Sequence, residues 1–102
     1  MKISSQKVPT EKQFLAFYEF RDKVDPEALR QNLIEKDLQA RLLGTLILSK
    51  EGINGAVTGT KNDTQFLLDT LSELNFNNLI INRYSTATEA FDRFIVKIKN
   101  EI

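Results

Sequence analysis

Hydrophobic and polar residues follow two different periods along the chain, which divide it into short strands and two helices. Residues 13–20 carry four aromatic side chains, which predicts a buried strand. Residues 41–49 would have apolar side chains on both faces of a strand, which predicts a central strand. A turn at residues 51–52 then leads into a further strand, an arrangement typical of a β-hairpin. The predicted strands are 13–20, 41–49, 53–58, 78–84 and 91–102. Residues 85–90 predict a polar loop or a short helical turn.

Both predicted helices begin at recognisable capping sequences. Asp25 followed by Pro26 is typical of an N-cap and first helical position, and residues 60–63 match a capping box. Apolar residues at helical spacing then predict one buried face on each helix. These residues are Leu29, Leu33, Ile34 and Leu38 in the first helix, and Phe66, Leu67, Leu71 and Leu74 in the second.

The element order β-α-β-β-α-β with a further strand predicts an α+β fold. Two helices on one face of an antiparallel sheet form the ferredoxin-like, or acylphosphatase-like, βαββαβ sandwich. Either of the last two strands can complete the four-stranded sheet, which leaves the other as an extra strand. We expect residues 13–102 to form this single domain and the polar residues 1–12 to be a flexible or disordered segment.

Composition narrows the available chemistry. The 102 residues include 14 basic and 14 acidic ones, and neither His nor Cys. The zero net charge argues against a protein that coats nucleic acid through bulk positive charge, but permits a local basic patch. Without imidazole or thiolate we expect no metal site, and any catalysis would have to use carboxylates, Lys, Tyr, Ser or Thr. We expect neither a cofactor nor a catalytic residue in this chain. The sequence has neither a membrane-length apolar run nor a signal-peptide core, so we expect a cytoplasmic protein without a membrane partner.

The most distinctive segment contains two glycines and an asparagine. It could bring backbone N–H groups close to a phosphate or a base, or it could simply form a tight hairpin that needs Gly and Asn. Spacing alone favours the hairpin, because no Walker or dinucleotide-binding fingerprint is present. The segment comprises Glu51, Gly52, Ile53, Asn54 and Gly55.

A row of basic residues near the end of the chain is the candidate RNA-binding site. Alternate residues of a strand project to the same face, so Arg93, Lys97 and Lys99 would line one surface, joined by Arg83. Such a row could neutralise phosphates, with Ile95 or Tyr84 beside it. The alternative is an edge strand that its lysines protect from aggregation, and nearby acidic residues weaken the patch.

Three other functions are disfavoured. Acylphosphatases hold phosphate in a glycine-rich loop after the first strand, whereas residues 21–25 here have no Gly and include two acids. An RNA-recognition motif needs aromatic residues on its central strands, and Val57 and Thr58 are not aromatic. Nothing in their spacing brings Glu51 and Asp63 together as an acid–base pair. We interpret the aromatic residues of the first strand as core rather than as a stacking platform; they are Phe14, Phe17, Tyr18 and Phe20.

Several short blocks occur in an order that resembles a known family. They are residues 17–20 (FYEF), 25–30 (DPEALR), 44–48 (GTLIL), 51–55 (EGING) and 97–102 (KIKNEI). Together they are similar to the N-terminal domain of the rhodanese-related tRNA uridine hydroxylases, formerly an uncharacterised family with a rhodanese domain. The resemblance extends from about residue 14 to residue 102.

The resemblance implies a longer parent enzyme, an oxidoreductase that hydroxylates carbon 5 of the wobble uridine in an oxygen-dependent reaction. A rhodanese-like domain with a Cys on its active-site loop would follow, so no catalytic residue carries over to this chain. Two departures stand out: Ala90 occupies a position where Pro is usual, and Phe94-Ile95 replaces a Met-Lys or Leu-Lys pair. The second departure removes one positive charge from the basic row.

The resulting hypothesis is a non-catalytic N-terminal domain that helps to position tRNA, or the catalytic domain, during tRNA modification. Phosphate contacts from the basic row would orient RNA without reading its sequence, and the segment 51–55 would present backbone N–H groups or Asn54. The alternative is a packing or self-association module without RNA contact, in which Ile95 marks the interface. Its partners would be the rhodanese-like domain of the same protein or a second copy of the chain.

Overall fold

The computed structural model describes residues 12–87 and 90–100, which form one five-stranded sheet and two α-helices. In chain order the elements are β1 (Lys12–Phe20), α1 (Pro26–Ile34), a 3₁₀ turn (Leu38–Ala40), β2 (Leu43–Ser49), β3 (Gly52–Gly59), α2 (Lys61–Glu73), β4 (Ile80–Thr86) and β5 (Phe94–Ile98). None of the helices in this part of the chain is long and apolar enough to cross a membrane.

The strand order β4-β1-β3-β2-β5 is that of the predicted ferredoxin-like fold with one added strand. The four strands β4, β1, β3 and β2 are antiparallel to their neighbours, whereas β5 pairs in parallel with β2. β4 is therefore the fourth strand of the fold, and β5 is the extra strand at the opposite edge. This resolves the alternative that the sequence left open.

The two faces of the sheet differ sharply in burial. Along β1, Leu15, Phe17 and Glu19 are buried, and the residues between them are not. We call the buried side the helix face, because its aliphatic residues pack with Leu33, Leu67 and the rest of the core. Phe94, Val96 and Ile98 of β5 also pack against this core, as the alternation of that strand predicts.

Both predicted helix caps are confirmed. The Asp25 carboxylate accepts a hydrogen bond from the N–H of Ala28 at 3.1 Å, and the Thr60 hydroxyl accepts one from the N–H of Asp63 at 3.0 Å. The predicted first helix is wrong at its end. α1 stops at Ile34, whose side chain is exposed, and Leu38 enters the core from a separate 3₁₀ turn. The left-handed backbone of Asp37, at φ 55°, separates the two elements.

The first strand requires two corrections. Lys12 belongs to β1 rather than to a flexible segment, and the rest of the segment predicted to be flexible, residues 1–11, lies outside the described residues. Of the aromatic residues expected in the core, only Phe17 is buried; Tyr18 is 43% exposed and Phe20 67%. Four aromatic residues within a short strand cannot all face the same side, because side chains alternate across the sheet.

Ser85 and Thr86, expected in a loop, continue β4.

Candidate nucleic-acid interface

Neither helix packs on the side of the sheet opposite the helix face, and we call this side the open face. It is covered at one end, where Phe91 packs against Phe14 and Thr58 is buried. Directly paired residues in neighbouring strands lie on the same face, so the strand registers define its membership. The open face comprises Lys12, Phe14, Ala16, Tyr18 and Phe20 of β1; Leu43, Thr45, Ile47 and Ser49 of β2; Gly52, Asn54, Ala56 and Thr58 of β3; Ile80, Asn82, Tyr84 and Thr86 of β4; and Ile95 and Lys97 of β5.

Aromatic rings form a cluster at each end of β1 on the open face. At one end, Phe14 stacks between Tyr84, at a centroid distance of 5.0 Å, and Phe91, at 6.1 Å. At the other end, Tyr18 and Phe20 meet edge to face at 5.7 Å. Both arrangements are favourable geometries for aromatic pairs. The exposed rings at the second end leave a planar apolar surface available to a ligand.

A shallow depression of about 220 Å³ lies between the two aromatic clusters. Ala16 and Ala56 form its floor, because they are direct partners in β1 and β3 and their small side chains leave room above them. Tyr18 lies at one side, and the amide side chains of Asn54 and Asn82 are exposed along the depression. The depression thus combines an aromatic ring with amides that can both donate and accept hydrogen bonds.

Charged residues in the strands are divided between the two faces. Lys12 and Lys97 lie on the open face, and Glu19 and Arg83 on the helix face. Among the strand residues, the open face therefore carries positive charge and no carboxylate. No cluster of three or more potential metal ligands occurs among the residues that the structure describes.

The predicted basic row is divided between the two edges of the sheet. Lys97 is exposed in β5, and Arg93 and Lys99 are exposed at either end of that strand. Arg83 lies in β4, four strand spacings or about 19 Å away. Its guanidinium donates hydrogen bonds to the Thr64 hydroxyl at 2.8 Å, to the Gln65 side chain at 3.0 Å and to the Lys61 carbonyl at 3.1 Å. Arg83 therefore fastens α2 to the sheet.

The glycine-containing segment is only partly a turn. Lys50 and Glu51 form the turn, and the other four residues of the segment belong to β3. Because β3 is paired on both sides, its backbone is engaged in the ladders with β1 and β2 and cannot be presented to a ligand. The hairpin interpretation assumed that Asn54 shapes the turn, and this is wrong. Asn54 lies in β3, on the open face, with an exposed side chain.

The two glycines of this segment are required by close packing. Gly52 has a φ of 141°, and a Cβ there would lie 2.0 Å from the Glu19 carbonyl oxygen. A Cβ on Gly55 would lie 2.6 Å from Phe17 Cζ and 2.8 Å from a methyl carbon of Leu46. Gly52 thus permits the backbone to approach β1, and Gly55 makes room for a buried ring.

Several groups of the loop after β1 are engaged in contacts within the chain. The N–H groups of Arg21 and Val24 donate to the carbonyls of Glu51 and Lys50, at 2.8 and 3.2 Å. The Arg21 guanidinium donates to the Asn75 carbonyl at 2.7 Å and lies 3.9 Å from the centroid of the Phe76 ring. Two amides and the cation of this loop thus have structural partners within the chain. Glu51 and Asp63 flank opposite ends of β3 and form no pair.

Two structural features escaped the sequence reasoning. The buried carboxylate of Glu19 accepts a hydrogen bond from the N–H of Asn78 at 2.9 Å, which fixes the connection into β4. The aromatic surface of the open face was also missed. The alternation of side chains along β1 was the signal for both features. It places Glu19 on the buried side with Leu15 and Phe17, and it places the aromatic residues Phe14, Tyr18 and Phe20 on the open face.

Comparison with protein families gives a match over nearly the whole chain. Residues 12–102 match the family model described as the UPF0176 acylphosphatase like domain. A tRNA uridine(34) hydroxylase of Deinococcus radiodurans is 37% identical over 87 residues, and one of Teredinibacter turnerae is 39% identical over 88. Each alignment covers 85% of this chain but only 29% and 27% of the relative. The chain thus spans less than a third of the length of these relatives.

Solved structures share the fold at low sequence identity. The BLUF protein BlrB in its dark state superposes with a TM-score of 0.68 at 14% identity, over 86% of this chain and 73% of that one. The acylphosphatase of Bacillus subtilis gives a TM-score of 0.58 at 15% identity, over 83% and 97%. These similarities confirm the acylphosphatase-like, ferredoxin-like architecture, and fold alone does not determine function.

Proposed function

We propose that this chain, which belongs to the UPF0176 acylphosphatase like domain family, is the N-terminal, non-catalytic domain of a cytoplasmic enzyme that hydroxylates tRNA uridine. The observation that carries the proposal is the alignment of 85% of the chain with relatives named tRNA uridine(34) hydroxylase, of which it spans under a third. The remaining part of such an enzyme, with a rhodanese-like domain, would supply the chemistry. This chain would help to position the tRNA.

The positioning contacts are assigned to the β5 edge. Arg93, Lys97 and Lys99 are exposed there at alternate positions, and none of them has an ion pair within the described residues. Exposed cations of this kind attract phosphates and orient RNA without sequence preference. Arg83 is excluded from this set, since α2 occupies its guanidinium.

The salt dependence of tRNA binding tests this proposal. Three phosphate contacts at about 0.9 each predict a log–log slope of affinity against salt near −2.7. The triple variant Arg93→Gln, Lys97→Gln, Lys99→Gln should lose most of this slope and of the affinity. A matched variant, Lys23→Gln, Arg30→Gln, Lys61→Gln, removes the same charge from exposed positions outside the open face and should retain both. Equal losses in the two variants, or no tRNA binding at low salt, would contradict the proposal.

A further inference from the structure

We infer that the depression on the open face binds an unpaired nucleobase of single-stranded RNA, with Tyr18 as the stacking ring and Asn54 and Asn82 as contacts to the base edge. This inference rests on the proposed function and adds to it a second contact surface, distinct from the cations of β5. It also reverses the interpretation of the β1 aromatic residues as core.

A single row of paired residues connects the depression to the β5 cations. From one edge to the other the row reads Ile80, Tyr18, Asn54, Ile47 and Lys97. Three strand spacings, about 14 Å, separate Tyr18 from Lys97 along this row. A short RNA strand that crosses the sheet could thus place a base on Tyr18 and a phosphate near Lys97.

The composition of this face favours RNA over a protein surface. Exposed aromatic rings bind bases by stacking, and they do so without sequence preference because every base has a π-face. The exposed amides of Asn54 and Asn82 form no hydrogen bond with another side chain in the described part of the chain, so they remain available to a base edge. Lys97 on this face is exposed, and the strand residues of the face include no carboxylate, which complements a polyanion.

The aromatic residues of the open face match the positions of an RNA-recognition motif only in part. There, bases stack on rings of the central strands. Here the central strand β1 contributes Phe14, Tyr18 and Phe20 and the edge strand β4 contributes Tyr84, whereas the other central strand, β3, contributes no ring to the open face. The same fold thus presents a stacking surface that the sequence test for that motif does not detect.

Tyrosine emission gives a direct test, because the chain has two tyrosines and no tryptophan. In the Tyr84→Phe variant, Tyr18 is the only tyrosine, and a single-stranded oligouridine of about ten nucleotides should quench its emission. The same oligonucleotide annealed to oligoadenine should quench it far less, because its bases are already paired. The Tyr18→Phe variant, which reports on Tyr84 instead, should show the smaller change.

Matched variants can be compared by measuring the fluorescence anisotropy of a labelled oligonucleotide as each variant is added. Tyr18→Ala should weaken binding at least about fivefold, whereas Tyr18→Phe, which keeps the ring, should bind like the original chain. Ile34→Ala removes an exposed apolar side chain from α1 and should change nothing.

Three outcomes would overturn the inference. If tRNA binding depends on the β5 cations but Tyr18→Ala has no effect, the base site is wrong and the proposed function is retained. If no RNA binds at low salt, both are wrong. If Tyr18 emission changes with protein concentration and not with RNA, the open face instead pairs with a second copy of the chain.

Discussion

The two faces of this sheet are built from alternate residues of the same strands, yet they have opposite properties. The helix face packs into the core, where Glu19 and Arg83 of the strands and Thr70 of α2 form hydrogen bonds of 2.8–3.1 Å. The open face exposes rings and amides, and its strand residues are basic where they are charged. If the open face is the recognition surface, as we propose, substitutions on the helix face should lower stability and substitutions on the open face should weaken binding.

The largest expected effect is on the helix face. Leu46→Ala removes a fully buried side chain from the centre of the core and should lower the free energy of unfolding by about 2–5 kcal/mol. Ile80→Ala, on the open face and 57% exposed, should change it by less than about 0.5 kcal/mol. Urea unfolding of the two variants checks the difference. Equal losses would mean that the two faces are equally packed.

A smaller effect on stability is expected from enlarging side chains at two neighbouring positions of β3. Gly55→Ala forces a Cβ against Phe17 and Leu46 and should destabilise the chain by about 1–3 kcal/mol. Ala56→Val adds two carbons to the next residue, which faces the depression, and should leave unfolding within about 0.5 kcal/mol while reducing binding of the oligouridine. If Gly55→Ala and Ala56→Val lower the free energy of unfolding equally, the depression does not have room for the larger side chain.

The smallest effect on stability is expected at the β5 edge. Lys97→Gln should leave the free energy of unfolding within about 0.5 kcal/mol, because the side chain is exposed. It should nevertheless reduce the salt slope of tRNA binding by about 0.9, the contribution of one phosphate contact. Titrations over a series of salt concentrations measure this slope. An unchanged slope would remove Lys97 from the interface.

The sequence predicted the fold class because its local signals agreed with one another, although it did not show which of the last two strands is the extra one. The Asp25 and Thr60 caps, the hairpin around Glu51 and the alternation in β5 each led to the observed element. The end of α1 was not predictable from its apolar spacing, since the spacing continues to Leu38 although Asp37 breaks the helix.

The candidate site was less accessible to sequence reasoning. Arg83 was placed in the basic row because it is close to Arg93 in sequence. In the fold, however, β4 and β5 lie at opposite edges of the sheet, so Arg83 is far from the other three residues. Conversely, Tyr18, Asn54 and Asn82 come together only through the pairing of β1 with β3 and β4. Such cross-strand neighbours depend on register, which no single segment encodes.

An NMR titration of the isotope-labelled chain with unmodified tRNA tests the central claim most directly, because it reports on both faces of the sheet at once. We expect the shifted signals to cluster on the open face and the β5 edge, with Tyr18, Asn54, Asn82 and Lys97 among them. The signals of α1 and α2 should remain in place, and all shifts should weaken as salt is added. Shifts that fall mainly on the helices, or none at low salt, would contradict the assignment of recognition to the open face.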